Sequence, residues 1–356
     1  MRERHYKRRA AHPRLQDGAL AVWLLAGATP VAAQEVNLNY DRLASLEEPI
    51  AIDLGEATLQ LQGVIDAPII AEFDRIADEE SLEAEFIGNF QISFETQLRN
   101  RWTVGAVYFG QYSTDPDRVF LTNFLGPDNY NDNVAGFVAT SFGTVVAGNV
   151  NQQVRELTRR RRGVGNGFLA FDDFRGQLAR WGGAYQGRFG PSTIGAAIDE
   201  NGDFELGAVF QRPIGTRDLR FSGRFRQARF TAADGITRFE TQGFGAVGEV
   251  EYGSSLFDLG AGFERLESAV SEADRWFVSA GAQSQLRQVR ISGEVHYGQI
   301  GGEDEISAAL GLGYDVARGL SLNLGLNYQD AQILSDAVMI SAREEGQAVA
   351  SVRFAF

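Results

Sequence analysis

The sequence predicts an all-β protein, a transmembrane antiparallel β-barrel of about 16 strands with short turns at one end and longer loops at the other. From about residue 57 onward, apolar and polar residues alternate at every second position in runs of seven to seventeen residues, which places them on opposite faces of strands. Glycine is frequent, at 41 of 356 residues, which suits closely packed strands better than helices. No stretch reaches the roughly 18 apolar residues that a membrane-spanning helix needs.

Composition and charge exclude several classes of function. The formal net charge of -14 argues against a nucleic-acid partner, because nucleic-acid binding needs a basic face. The absence of cysteine excludes disulfides, thiolate metal sites and a cysteine nucleophile.

Residues 1–33 have the pattern of a secretory signal peptide. A basic front precedes an apolar run at 19–31, and Val31-Ala32-Ala33 supplies small residues before a cut ahead of Gln34. The apolar run is too short to span a bilayer. We expect this segment to be removed on export. Residues 34–56 are left open between a periplasmic lead-in and a short helix, and residues 57–356 form the predicted barrel.

Sixteen strands are predicted from the alternation and the turn residues between runs. They are 57–65, 84–98, 101–113, 133–141, 143–150, 175–189, 192–199, 203–212, 217–231, 236–252, 255–266, 274–286, 289–300, 305–317, 319–330 and 346–356. Connections after odd-numbered strands run from 3 to 24 residues, whereas those after even-numbered strands run from 1 to 4. Short periplasmic turns opposite longer extracellular loops are typical of outer-membrane barrels.

Aromatic residues in the apolar phase fall into two bands. The band near the turns includes Trp102, Tyr252 and Tyr314, and the band near the loops includes Trp276, Tyr297 and Tyr328. Two aromatic girdles around an aliphatic belt fit a bilayer with two interfaces. A water-soluble sandwich is the alternative, because alternation alone does not say which face is wet.

Closure of the sheet follows from the cost of unpaired backbone groups in hydrocarbon, so the first strand should pair with the last. Sixteen strands enclose a lumen too wide for side chains to fill. We therefore expect a water-filled interior and passage of solutes.

The architecture of roughly 57–356 resembles the general bacterial outer-membrane porins, the sixteen-stranded trimeric type and its alphaproteobacterial branch in particular. The most specific local element is the end of the chain, where Val352, Phe354 and Phe356 alternate. In outer-membrane barrels such a strand is similarly read by the barrel-assembly machinery. The resemblance implies a homotrimer in the bacterial outer membrane, in contact with lipid and lipopolysaccharide, which passes small hydrophilic solutes and ions by diffusion.

Members of that family fold the loop after the fifth strand into the barrel as a constriction, with acidic residues on the loop and arginines on the wall. The corresponding gap here, 151–174, is the longest. By type and place, Asp172, Asp173 and Glu156 match the acidic side. Four successive arginines, Arg159, Arg160, Arg161 and Arg162, depart from the family's pattern, and three interpretations stay open for them: pore lining, binding to lipopolysaccharide phosphates or a neighbouring subunit, and a solvated loop.

Candidates for the basic side of the wall lie in the lumen phase of two strands. Arg220, Arg224 and Arg226 share one face of 217–231, and Arg180 and Arg188 share one face of 175–189. Like charges about 7 Å apart repel, and acidic partners such as Glu249, Glu251 or Asp258 would relieve this. Solvated lumen charges without a special role are the alternative.

Little in the sequence indicates catalysis. Residues 34–356 contain one histidine, His296, which could be drawn with Ser292 or Ser279 as part of a triad, but serines are common in lumens. No cofactor or metal site is predicted, although calcium at acidic outer loops such as 301–305 stays open. A passive, cation-preferring channel is the leading interpretation. A substrate-specific channel and a structural or adhesin-like barrel are the alternatives.

Overall fold

The computed structural model describes residues 49–74, 79–114, 129–161, 174, 176–231, 238–269, 271–335 and 339–356. The predicted signal peptide at 1–33 and residues 34–48 of the predicted lead-in lie outside these ranges. The described residues form one antiparallel sheet and one short helix. No helix in these ranges is long and apolar enough to cross a membrane.

The strands and the helix are numbered in chain order. They are β1 (Ile50–Asp53), β2 (Ala57–Asp74), β3 (Glu79–Ala84), β4 (Ile87–Gln97), β5 (Thr103–Ser113), β6 (Tyr130–Thr140), β7 (Gly143–Asn149), α1 (Gln153–Thr158), β8 (Trp181–Phe189), β9 (Ser192–Asp199), β10 (Phe204–Ile214), β11 (Arg217–Thr231), β12 (Arg238–Tyr252), β13 (Ser255–Glu267), β14 (Glu272–Leu286), β15 (Val289–Ile300), β16 (Glu303–Ala317), β17 (Leu320–Ser335) and β18 (Met339–Ala355).

The sheet closes on itself, and the predicted sixteen-stranded barrel is confirmed. Consecutive strands pair from β4 to β18, and β18 pairs with β2 through a register that includes Val352↔Ala67. Strands β3 and β4 are two parts of one barrel strand, because both pair with β2 in a continuous register, Ile69↔Ala84 and Asp66↔Ile87. Strand β1 is additional and pairs with the start of β2, Ile50↔Leu61.

The two ends of the barrel differ. One end, here the turn end, carries tight connections at 98–102, 141–142, 190–191, 215–216, 253–254, 287–288 and 318–319. The opposite, loop end carries the long segments 114–129 and 150–180. Gly190 and Gly253 have φ values of +61° and +60°, the left-handed conformation that glycine adopts without a steric penalty in such turns.

Burial is inverted relative to a water-soluble protein. The apolar phase points outward and is exposed, as at Leu259 (66%), Leu310 (59%) and Leu326 (56%). The opposite phase carries buried polar residues, including Gln91, Asn133, Glu264, Arg275, Asn323 and Ser351. A soluble sandwich would bury its apolar phase, so that alternative does not fit.

Several strands extend further than the alternation predicts. Strand β2 continues to Asp74 and β18 begins at Met339, whereas predictions placed those ends at 65 and 346. Pro68 interrupts the pattern, but it lies opposite the break between β3 and β4, where its carbonyl accepts a hydrogen bond from the Glu85 N–H at 2.9 Å. The missing N–H of proline is therefore placed where the ladder is already interrupted. The predicted strand 175–189 starts only at Trp181.

The closing seam between β18 and β2 holds a buried ion pair that should matter for stability. Arg353 Nη2 lies 2.8 Å from Asp66 Oδ2, with side chains 9% and 2% exposed. Asp66→Asn would leave a buried guanidinium without its counter-charge, at a cost of about 3–5 kcal/mol. Urea unfolding from lipid vesicles measures this cost. The matched control is Asp315→Asn, whose pair with Arg290 is more exposed (25% and 38%) and should cost under about 1 kcal/mol. Equal losses for the two variants would contradict the role of the seam pair.

Candidate functional site

Helix α1 lies inside the barrel, against the inner faces of β9, β10 and β11. Its Val154 and Thr158 side chains are buried. A Cβ built on Gly207 of β10 would lie 2.6 Å from Val154 Cγ1 and 2.7 Å from Thr158 Cγ2, and one built on Gly195 of β9 would lie 2.8 Å from Leu157 Cδ2. Because side chains at these positions would displace the helix, glycine provides the space in which it packs.

Wall side chains bind the carbonyls at the carboxyl end of α1. Arg220 Nη2 donates to the Leu157 carbonyl at 2.7 Å, and Ser222 Oγ donates to the Thr158 carbonyl at 2.8 Å. The last carbonyls of a helix have no partner within the helix. Residues of β11 therefore cap α1.

The loop arginines after α1 pair with carboxylates of the wall. Arg160 Nη1 lies 2.6 Å from Asp258 Oδ1 of β13, and its side chain is 4% exposed. Arg161 Nη1 lies 3.0 Å from Glu251 Oε2 and 3.4 Å from Asp218 Oδ2. At these contacts the loop is basic and the wall is acidic, the reverse of the arrangement that the family resemblance implies.

The returning part of the loop packs on a second patch of the inner wall. Phe174 is 4% exposed, and Cβ atoms on Gly243 and Gly245 would lie 2.7 Å and 3.3 Å from its ring. The guanidinium carbon of Arg224 lies 4.8 Å from the centroid of the same ring, a cation–π geometry.

The wall arginines identified from the sequence are held by acidic residues of the wall. Arg220 pairs with Glu249. Arg226 Nη2 and Arg224 Nε lie 2.9 Å and 3.4 Å from Glu205 Oε1. Glu249 was among the acidic partners that the sequence suggested. Glu205 was missed, because its role depends on the register of β10 against β11, Glu205↔Arg226.

Where the structure describes them, the other charged residues predicted for the constriction differ in their partners and exposure. Glu156 pairs with Arg159 within the loop at 2.9 Å, Arg180 pairs with Asp132 at 2.8 Å, and Arg188 is exposed beside the turn at 190–191. Asp172, Asp173 and Arg162 lie outside the described residues.

The predicted aromatic and terminal residues lie on the outer face. The exposed outward residues are Trp102, Tyr252, Tyr314, Trp276, Tyr297, Tyr328, Val352 and Phe354. Phe356 stacks on Phe354, with ring centroids 6.2 Å apart. Its backbone pairs with Gly63 of β2 through hydrogen bonds of 2.8 Å and 2.9 Å.

His296 lies opposite Ser279 in the β14–β15 ladder, and Ser279 Oγ accepts a hydrogen bond from Arg160. One of the two serines that a triad could use, Ser279, is thus bound to a loop arginine. The described ranges contain no group of three or more His, Cys, Asp or Glu residues that could hold a metal.

Comparisons with known proteins identify the fold. Similar solved structures include an anion-selective porin from Comamonas acidovorans and the trimer form of OmpT, an outer membrane protein of Vibrio cholerae. Each has a TM-score of 0.64 and 12% identity, over 85% of this chain and 100% of the other. A porin of Rhodopseudomonas blastica has a TM-score of 0.55 and 13% identity, over 84% of this chain and 100% of the other. No protein-family model and no curated sequence matches this chain.

A side chain added at the glycines that accommodate the loop should destabilise the protein. Gly207→Ala should lower the free energy of unfolding by about 1–3 kcal/mol, because the added methyl overpacks against α1. The control is Gly136→Ala on β6, where the nearest heavy atom to a new Cβ is 3.8 Å away. Urea unfolding measures both variants. If Gly207→Ala were as neutral as the control, α1 would not pack against β10.

Proposed function

We propose that this protein is a channel of the bacterial outer membrane through which small hydrophilic solutes and ions diffuse. The observation that carries the proposal is the closed sixteen-stranded cylinder with apolar residues outside and polar residues inside. Such a surface suits lipid, and a barrel of this size encloses a lumen. The porins among the similar structures support the same function.

The inward segment 150–161 is the proposed constriction. It occupies lumen space along β9 to β14 and brings charged groups from both loop and wall into it. Opposed charges in a narrow pore orient solutes and water. We propose that Asp172, Asp173 and Glu156 contribute the acidic side of this constriction, with Arg220, Arg224 and Arg226 on the basic side.

Cation preference is the proposed selectivity. The support is the net charge of -14 and the exposed carboxylate of Glu251 (47%) beside the loop.

The proposed setting follows from the outer surface. The exposed Trp and Tyr bands would lie at the two membrane interfaces, with the loop end toward lipopolysaccharide and Val352, Phe354 and Phe356 recognised by the barrel-assembly machinery. A homotrimer is proposed, supported by the trimer form among the similar structures.

Reconstitution into planar bilayers tests the channel. We expect ohmic current steps that do not saturate with solute, and a reversal potential in a salt gradient that shows cation preference. Saturable current blocked by one solute would instead indicate a specific channel, and absence of current would contradict the proposal.

The acidic side of the constriction is tested in the same measurement. Asp172→Asn with Asp173→Asn should shift the reversal potential toward anions, because two negative charges leave the proposed constriction. An unchanged reversal potential would contradict the placement of Asp172 and Asp173 in the constriction.

The lipid-facing surface is tested by charge at two depths. Leu324→Arg, at the middle of the outward face of β17, should destabilise folding into lipid vesicles by about 2–4 kcal/mol, whereas Val316→Arg near the turn end should cost about 0–1 kcal/mol. Both positions are exposed, 52% and 46%, so a water-soluble protein would tolerate both. Equal, small effects in a urea titration would contradict a membrane-spanning barrel.

A further inference from the structure

The wall of the barrel binds the main chain of the inward loop at three successive points. The carbonyls of Leu157 and Thr158 accept hydrogen bonds from Arg220 and Ser222. The Arg161 N–H donates to Glu249 Oε1 at 2.7 Å. These contacts involve backbone groups, so they fix the path of the chain whatever side chains the loop carries.

Glu249 is the centre of this arrangement. One carboxylate oxygen accepts the Arg161 N–H and the other pairs with Arg220. Arg220 in turn holds the Leu157 carbonyl. The Glu249 side chain is 0% exposed, so its hydrogen bonds do not compete with solvent, and buried charge-assisted hydrogen bonds are the stronger kind.

Arg160 adds contacts on the next two strands of the wall, β13 and β14. Its guanidinium pairs with Asp258 and donates to Ser279. It lies over Gly260, where a Cβ would collide with it. The loop is thus held on β11 and β12 by its main chain and on β13 and β14 by one side chain.

We propose that Glu249, acting with Arg220, is the positioning residue that fixes the inward loop and so sets the open cross-section of the lumen. Loss of the Glu249 charge removes the acceptor that orients Arg220 and weakens two of the three main-chain contacts together. The effect on conductance rests on the proposed channel function, whereas the effect on loop position does not.

Glu251 offers a matched control for this role. It is two residues along the same face of β12 and also contacts Arg161, but only through the side chain, and it is 47% exposed. Glu249→Gln and Glu251→Gln remove the same charge from the same wall. Only Glu249→Gln disturbs the main-chain contacts.

A single-cysteine reporter reads loop position directly, because the natural chain contains no cysteine. Thr158→Cys is close in size and lies at the end of α1, with its side chain facing Gly207 of the wall, at a residue that is 6% exposed. Its rate of labelling by a water-soluble maleimide is measured on the full barrel in lipid vesicles. Asn201→Cys at the exposed loop end reports reagent access alone.

We expect Glu249→Gln to speed labelling of the Thr158→Cys thiol by about tenfold or more, the factor that loss of a hydrogen bond to a charged group corresponds to. Glu251→Gln should leave the rate within about twofold of the parent, as expected for an exposed ion pair. In bilayers, Glu249→Gln should increase conductance and current noise. Equal labelling rates for the two variants would overturn the proposal, whatever their conductance.

One further outcome separates this proposal from the channel function. Faster labelling in a protein that passes no current would support the positioning role and contradict the channel.

If Glu249→Gln alone does not fold, Glu249→Gln with Arg220→Gln removes both buried charges together. That double variant should show the same accelerated labelling, and protection equal to the parent would overturn the proposal.

Discussion

The need to pair every backbone N–H and C=O group in a sheet that meets hydrocarbon governs this structure. It requires β18 to pair with β2, and it explains β1. The pairing of β18 with β2 ends at Gly63, whose backbone pairs with Phe356. Strand β2 begins earlier, at Ala57, so its first residues have an edge that β18 does not cover. Strand β1 pairs with this remaining edge, from Ile50↔Leu61 to Asp53↔Thr58. The short first strand and the terminal strand thus cover successive parts of one edge.

A closed sheet with an apolar exterior places its polar residues inside, where each buried charge needs a partner. The inner wall meets this need by pairing arginines with carboxylates of other strands, as Arg275 of β14 does with Glu305 of β16, across the intervening β15, at 2.8 Å. The loop enters the same network. Its arginines neutralise wall carboxylates, and wall donors satisfy its carbonyls. The position of the loop and the stability of the wall therefore depend on the same contacts.

Strand number and direction were predictable because a sheet between lipid and water must alternate with a period of two. The strand ends were not, because pairing continues beyond the alternating segments, as in β2 beyond Pro68. Residue types at the site were also predictable, and Arg220 was correctly placed in the lumen phase with Glu249 as a candidate partner. Its bond to the Leu157 carbonyl was not, since a main-chain acceptor leaves no mark in the sequence. The pairing of Arg160 with Asp258 joins residues 98 positions apart, which alternation cannot connect.

The glycine content acquires a second explanation from the loop. Part of it serves turns, as at Gly190 and Gly253, but Gly195, Gly207, Gly243 and Gly260 line the inner face where loop atoms approach closely. Their strand neighbours Leu206 and Phe244 point outward and are 48% and 57% exposed. Because side chains alternate, one strand presents large apolar groups to the exterior and a bare backbone to the loop. The two surfaces are therefore specified by separate sets of residues, and the inner one can be shaped to the loop without altering the outer one.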